Sequence, residues 1–327
     1  MKLFFADKKA STLADDRSLS LHRIRKALLK NDYVEEVRSP EGSDAIIIQE
    51  KNSFKNFHYI NDLLSDPLIS RHANKIFTIN DDDCATGLLR GLYTSLPKYR
   101  FNSEHHAAVP YMHFPNEQVF LTQQDLAPDL LASWRGNTKS NALRTKLIEA
   151  LESKPEIVIQ KTDSWLNHRE DEKARYVNLI RNARFSICPA GWAPVSFRIY
   201  ESMALGRCPV ILADNFVPPD GPDWNSFALF FPEKRVSNLY AFLMDSKDTH
   251  AQLGLNAQKS WDDYFSAARI GDYYASALLS LLQVSKKTTN EEEFKRWKSL
   301  RLQWTNEWTM PQRVLNKARR LTQKQHA

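Results

Sequence analysis

Three residues in one short stretch, Ser196, Arg198 and Glu201, have types and spacing that can hold an anion beside a pair of hydroxyls. Ser is a favoured N-cap, so Ser196 marks the start of a helix whose stop is Gly206. Arg198 then lies in the first turn, where the macrodipole favours acids and anions over cations. A cation beside bare backbone N–H groups makes sense if a phosphate lies there. Glu201 follows three residues later on the same face and is placed to accept ribose hydroxyls. The plainer alternative is a surface ion pair between the two, worth ~0.2–0.5 kcal/mol.

Arg135 follows an apolar stretch ending in Ser133-Trp134 and precedes Gly136, while Arg144 falls in the next helical pattern. Guanidinium forks bind phosphate bidentately. Arg135, Arg144 and Arg198 therefore suit a clamp on a leaving diphosphate, whose charge grows in the transition state. Each also reads as a surface Arg lying along apolar neighbours, and for Arg144, in mid-helix, that reading leads. Lys161 is a weaker candidate at the same edge. Asp81, Asp82 and Asp83 follow the apolar run Ile76–Ile79. Asp82 and Asp83 are the candidates for a general base that takes the proton of an attacking hydroxyl. Asp81 and Asp83 also spell Asp-x-Asp, a spacing that can hold Mg²⁺ or Mn²⁺ on a diphosphate. The run could instead cap a following helix. Because the arginines already supply positive charge, neither a metal nor another cofactor is expected. His105 and His106, with Glu104 and His113 nearby, offer a base or ligands, but adjacent His on a polar loop are more often bystanders.

Elements of two alternating α/β blocks must position these groups. In the first, strands are expected at Leu3–Phe5, Tyr33–Val37, Ala45–Ile48 and Ile76–Ile79, with a helix carrying Leu21, Ile24 and Leu28. Residues 96–128, polar and interrupted by Pro97, Pro110, Pro115 and Pro128, read as loops and a crossover. In the second block, strands are expected at Leu131–Trp134, Ile157–Gln160, Phe185–Cys188, Pro209–Leu212 and Ala228–Phe231. Helices are expected at Asn141–Glu152, Glu170–Arg181, Phe197–Leu205 and Val236–Met244. The alternation predicts an α/β fold of two Rossmann-like, doubly wound domains with C-terminal helices. The expected division is 1–128, an acceptor-side domain; 129–285, a nucleotide-sugar domain; and 286–327, a basic helical tail.

The string from Phe185 to Asp214 resembles the exostosin family of glycosyltransferases. The resemblance rests on Cys188, Pro189, Gly191, Ser196, Arg198, Glu201, Gly206, Pro209, Val210, Ile211 and Asp214. Arg135, Gly136 and Arg144 extend it upstream, and Asp223-Trp224 extends it weakly downstream. The family often has Cys directly after the Gly, whereas Arg207 stands there here. Cys208, one place on, reads as a small buried apolar residue. The resemblance implies the GT-B architecture, two domains facing across a cleft, with the Asp81–Asp83 run toward it. It also implies a nucleotide-sugar donor held by Arg135, Arg144, Pro189, Gly191, Ser196, Arg198 and Glu201. It further implies a glycan acceptor, inversion at the anomeric carbon, and a role in surface polysaccharide synthesis. Alternatives are a non-catalytic nucleotide- or glycan-binding protein, or a metal-dependent transferase using Asp81 and Asp83.

At 327 residues, 42% hydrophobic, the chain is long enough for two cores. It has no apolar run of ~18 residues that could span a bilayer. MKLFFADKKASTLADD lacks the pattern of a secretory signal, and three Cys read as free thiols. A cytoplasmic protein is expected on those grounds. Residues 286–327 hold eleven Lys or Arg against four Glu, so the formal +6 of the chain resides in its tail. Trp297, Trp304 and Trp308 share a helical face there, and docking on the body is favoured for the stretch to Trp308, with a solvated basic end after Pro311. The alternative is a helix set at an anionic membrane surface, which would make the protein peripheral at the inner membrane face. The near-neutral body argues against nucleic acid.

Overall fold

A computed structural model describes residues 1–14, 19–49, 59–83, 85–121, 127–163, 169–285, 288–302 and 314–315. It divides into two compact units, Met1–Val109 with Tyr274–Ala327, and Pro110–Tyr273. Each is built on one all-parallel sheet.

The first sheet contains β1 (Lys2–Phe5), β2 (Glu35–Glu36), β3 (Ala45–Ile48), β4 (Ile76–Asn80), β5 (Arg90–Tyr93) and β6 (His106–Ala108), in the order β2-β1-β3-β4-β5-β6. Every residue of β3 and β4 is buried, as both faces of a covered parallel sheet require. Helices α1 (Leu19–Leu28), α2 (Tyr59–Ser65) and α3 (Pro67–His72) connect its strands. Asp66 caps α3 by accepting from Leu68 N and Ile69 N, and its other oxygen accepts from Ser11 Oγ at 2.9 Å.

The second sheet contains β7 (Leu130–Gly136), β8 (Ile157–Lys161), β9 (Ala183–Pro189), β10 (Cys208–Leu212) and β11 (Leu229–Phe230), in the order β11-β10-β9-β7-β8. Its helices are α4 (Ala142–Leu151), α5 (Glu170–Arg181), α6 (Phe197–Ala204), α7 (Leu239–Asp245) and α8 (His250–Ser260). Alternate strand residues face opposite layers. Ile187, Val210 and Leu212 join a core with Leu143 and Leu147 of α4 and Leu239 and Leu243 of α7. Cys188 and Ile211 instead join Ile199, Tyr200 and Met203 of α6 and Ala257 of α8. Gly206 stops α6 at φ +63°, a conformation that costs a residue with a Cβ far more than it costs Gly. The sheet reverses direction of growth at β7, which pairs with β8 on one side and β9 on the other. Ligands of open α/β sheets bind at such a switch point, outside the carboxyl ends of the strands.

Two further helices, α9 (Ile270–Ser285) and α10 (Asn290–Trp297), follow. The expected boundary after residue 128 therefore lies at Val109/Pro110 by packing. The Pro-rich crossover hides aromatic anchors of the second unit. Tyr111 meets Phe197 at 4.1 Å between ring centroids, and Phe120 stacks on Trp261 at 5.5 Å. Nor do residues 274–285 belong to the second unit, since the chain from Tyr274 onward returns to the first. There α10 docks, as expected for the stretch to Trp308, and so is part of the first unit and not a tail of its own. Trp297 is fully buried with Ile46, Leu63 and Ile69, and Glu293 pairs with the buried Arg90 at 3.4 Å. Trp304 and Trp308 lie outside the described residues.

Strands β5 and β6 were hidden by composition. Gly91 interrupts one and His106 the other. His106 is a core residue whose Nε2 lies 2.9 Å from Gly87 O, and burial lowers its pKa to about 3. Among the described residues, no helix is long and apolar enough to cross a membrane.

Candidate functional site

A cavity of about 180 Å³ opens at the carboxyl end of β7, beside the start of α6. Five of the residues singled out from sequence line it: Arg135, Arg144, Ser196, Arg198 and Glu201. The register sets the first of them, because Arg135 pairs with Gln160 and Gly136 with Lys161 at the ends of β7 and β8. Arg135 donates to Gln160 Oε1 at 2.8 Å and to Glu172 Oε1 at 3.2 Å. Arg144 is no loose surface side chain. It donates to Ala190 O at 3.0 Å and Asn137 O at 3.1 Å, bracing the loop after β9 against the loop after β7. The absence of a Cβ at Gly191 leaves room for it, since one there would lie 3.0 Å from Arg144 Nη2. Pro189 ends β9 and Gly191 follows; neither lines the cavity. Lys161 ends β8, and the next residue, Thr162, is the one on the cavity wall.

Ser196 caps α6 in extended conformation (φ −137°, ψ 141°), accepting from Arg198 N at 3.3 Å. Arg198 is buried rather than lying on the surface, so the simple exposed ion pair is not what forms. Its guanidinium donates to Arg135 O, and more weakly to Ile187 O at 3.5 Å, tying α6 to the ends of β7 and β9. It sits over the rings of Tyr176 at 5.2 Å and Trp134 at 5.9 Å, and its Nε is buried with no hydrogen-bond partner among the described residues. Glu201, 3% exposed, accepts a hydrogen bond from the Tyr176 hydroxyl. Burial raises its pKa, while the Tyr176 hydrogen bond and the Arg198 charge pull the other way. Burial also pushes the Cys188 thiol up to about 12, so it stays neutral beside the site.

Three guanidinium groups and two carboxylates thus converge where the sheet reverses. The arrangement can hold a diphosphate against the arginines and a polyol against Glu201. Glu172 and Tyr176 were missed in the sequence, although their helix was placed correctly. Three acids at its start read as ordinary complement to the helix dipole, and only the fold shows Glu172 turned onto Arg135.

Asp81, Asp82 and Asp83 follow β4 in the first unit as a turn. Gln49 Nε2 donates to Asp81 Oδ1 at 3.3 Å, and Asp82 N donates to Asn80 Oδ1 at 2.9 Å. The described residues between β4 and β5 include no helix for them to cap, which removes that reading. Among the described residues, no group of three or more His, Cys, Asp or Glu is placed to hold a metal.

The Exostosin GT47 domain matches residues 64–245, more than half of the chain. A relative from Arabidopsis thaliana, "Probable beta-1,4-xylosyltransferase IRX10", is 39% identical over 75 residues. That stretch is 22% of this chain and 18% of the relative. "Probable glucuronosyltransferase GUT1" of Oryza sativa subsp. japonica matches with the same identity, length and shares. The chain thus aligns with under a fifth of the length of these relatives. Among solved structures, sucrose-phosphate synthase from Thermosynechococcus elongatus has a TM-score of 0.47 at 12% identity, covering 86% of this chain and 99% of that one. The Anabaena protein HepE, solved with UDP-glucose, has a TM-score of 0.41 at 12% identity, covering 86% and 100%.

Proposed function

The chain belongs to the Exostosin GT47 domain family, and from that premise we propose that it is a glycosyltransferase moving a sugar from a nucleoside diphosphate to a glycan hydroxyl. The observation that carries the reading is the meeting of Arg135, Arg144, Arg198 and Glu201 around one cavity at the switch point of the second sheet. Arg135 and Arg198 stabilise the departing diphosphate, Arg144 shapes the loop against it, and Glu201 receives the ribose. Preorganised cations in a buried site need no rearrangement as charge grows on the leaving group, which is where such catalysis is strongest. The reaction proceeds without metal and inverts the anomeric carbon, with Asp82 or Asp83 taking the acceptor proton. Relatives named as xylosyl- and glucuronosyltransferases make pentose and uronate donors the first to test.

The test is a panel of nucleotide sugars, including UDP-xylose, UDP-glucuronic acid and UDP-glucose, with oligosaccharide acceptors, with and without EDTA. Transfer or hydrolysis that survives the chelator is expected. Activity lost to EDTA would move the diphosphate onto a metal, with Asp81 and Asp83 as its first candidate ligands. Binding without turnover for every donor and acceptor would sink the enzyme and leave a nucleotide-binding protein. Asp82→Asn and Asp83→Asn, made singly, locate the base: the correct one abolishes transfer while donor binding persists.

A further inference from the structure

Resting on the donor-site reading above, we infer that Tyr176 is a positioning residue serving both halves of the nucleotide: its ring carries the Arg198 guanidinium and its hydroxyl aims the Glu201 carboxylate. Both contacts come from one side chain on α5, and both recipients lie on α6. Tyr176 also lines the same cavity as Arg198 and Glu201.

The two contacts solve two separate problems. A buried carboxylate leans toward its neutral form unless donors and positive charge hold it ionised, and only the ionised form accepts from both hydroxyls of a ribose. The charged or titratable groups that act on Glu201 are Tyr176 from α5 and Arg198 from its own helix, while it in turn acts on the neutral Cys188 from β9. Tyr176 supplies the hydrogen bond. The phenol donates to Oε2, and a carboxylate accepting one bond retains acceptor capacity for two hydroxyls. Arg198 has the opposite problem, a cation held away from water. Two of its nitrogens donate to the backbone carbonyls of Arg135 and Ile187, and the ring of Tyr176 offers the face at 5.2 Å. Sequence spacing conceals this, because α5 and α6 are separated by all of β9 and the loop after it.

Calorimetry on the full chain with UDP, GDP and ADP, and in parallel with inorganic pyrophosphate, separates the two roles. Tyr176→Phe keeps the ring and removes the hydroxyl. It is expected to weaken nucleoside diphosphate binding by about tenfold and leave pyrophosphate within about twofold. It also moves upward the pH below which nucleotide affinity is lost, because Glu201 then holds its proton more tightly. Tyr176→Leu removes both contacts and should weaken both ligands. In a Glu201→Gln background, Tyr176→Phe should have no further effect on nucleotide affinity, a result that a merely structural tyrosine would not give. Thermal melts accompany each variant. Equal losses for nucleotide and pyrophosphate in Tyr176→Phe, or effects of Tyr176→Phe and Glu201→Gln that simply add, would overturn the inference. Failure of the parent reading shows instead in the unmutated chain, as pyrophosphate binding with no nucleoside diphosphate binding, and it takes this inference with it.

Discussion

The Tyr176 hydroxyl donates to Glu201 Oε2, joining α5 to α6 at the wall of the candidate donor cavity. Arg198 lies over the same tyrosine ring, one helical turn before Glu201. A single half-buried aromatic therefore touches the cation proposed for the diphosphate and the carboxylate proposed for the ribose. Arg198 is in turn fastened to Arg135 O at the end of β7. The site is held by backbone carbonyls at two strand ends rather than by long side chains alone, so its geometry is set before any ligand arrives, as preorganised stabilisation requires.

Arg198→Ala should lower nucleoside diphosphate affinity by ~10–150-fold, the equivalent of a charge-assisted bond of about 1.5–3 kcal/mol. Because Arg198 also ties α6 to β7 and β9, the same variant should melt earlier. Arg198→Lys keeps the charge without the fork and is expected to recover only part of the affinity. Calorimetry with UDP beside a thermal melt checks both effects. Unchanged affinity in a folded variant would remove Arg198 from the donor site.

Glu172 holds Arg135 at 3.2 Å, with side chains 33% and 10% exposed respectively, so an incoming diphosphate competes with it. Partly exposed pairs of this kind are worth about 0.2–1 kcal/mol. Glu172→Gln should therefore strengthen UDP and pyrophosphate binding alike, by up to about fivefold. Titration at low and high salt is the measurement, the gain shrinking as salt rises. Weaker binding in the variant would show that Glu172 contacts the donor itself.

Much of this site was legible in the sequence because its parts are local. Ser196, Arg198 and Glu201 sit on one helix whose cap and stop are both written in residue type, and α5 and α6 were bounded to within a residue. Arg135 was legible from its place between an apolar strand and Gly136. What escaped depends on distant pairing. Nothing in the spacing of Glu170, Asp171 and Glu172 says which of them turns onto Arg135. Nothing in a mid-helix Arg144 announces two loop carbonyls 46 and 7 residues away. Strands β5 and β6 escaped because burial in a parallel sheet tolerates Arg90 and His106 when each finds a partner, and Gly91 where the neighbouring strand leaves no room for a Cβ, which would lie 1.9 Å from Thr78 O. That the helix carrying Trp297 docks on the body was legible from its apolar face, but its return to the first unit was not, because α10 otherwise reads as a charged helix.

His106 should make the first unit acid-sensitive. Burial lowers its folded pKa from the ordinary 6.5 to about 3, so between those values the unfolded chain binds the extra proton. Stability from this residue is complete above pH ~6.5 and is lost as pH falls toward 3. His106→Gln keeps a donor for Gly87 O and an acceptor for Asn102 N while removing the titration. Its denaturation midpoint should therefore change less with pH than that of the parent over this window. Parallel curves for the two proteins would place the acid sensitivity elsewhere.

Ending the chain after Ser285 should destabilise the first unit, because it removes α10 with Trp297 and Glu293. Trp297 is fully buried, and truncating such a residue costs about 3–5 kcal/mol. Losing Glu293 strands the buried Arg90, a penalty of similar size, about 3–5 kcal/mol. The capping box of Thr289 and Glu292, with Asn290 bonded to Asn74 N at 2.8 Å and Arg71 O at 2.9 Å, fixes where α10 begins. Trp297→Ala and Glu293→Ala should each lower the melting temperature, and the truncation should lower it further. A chain ended after Leu302 keeps all of α10 and should melt near the parent. If the basic residues beyond it meet an anionic membrane, that second truncation loses binding to phosphatidylserine vesicles, and rising salt mimics the loss in the intact chain. A chain ended after Ser285 that melts where the parent does would defeat the assignment of α10 to the core.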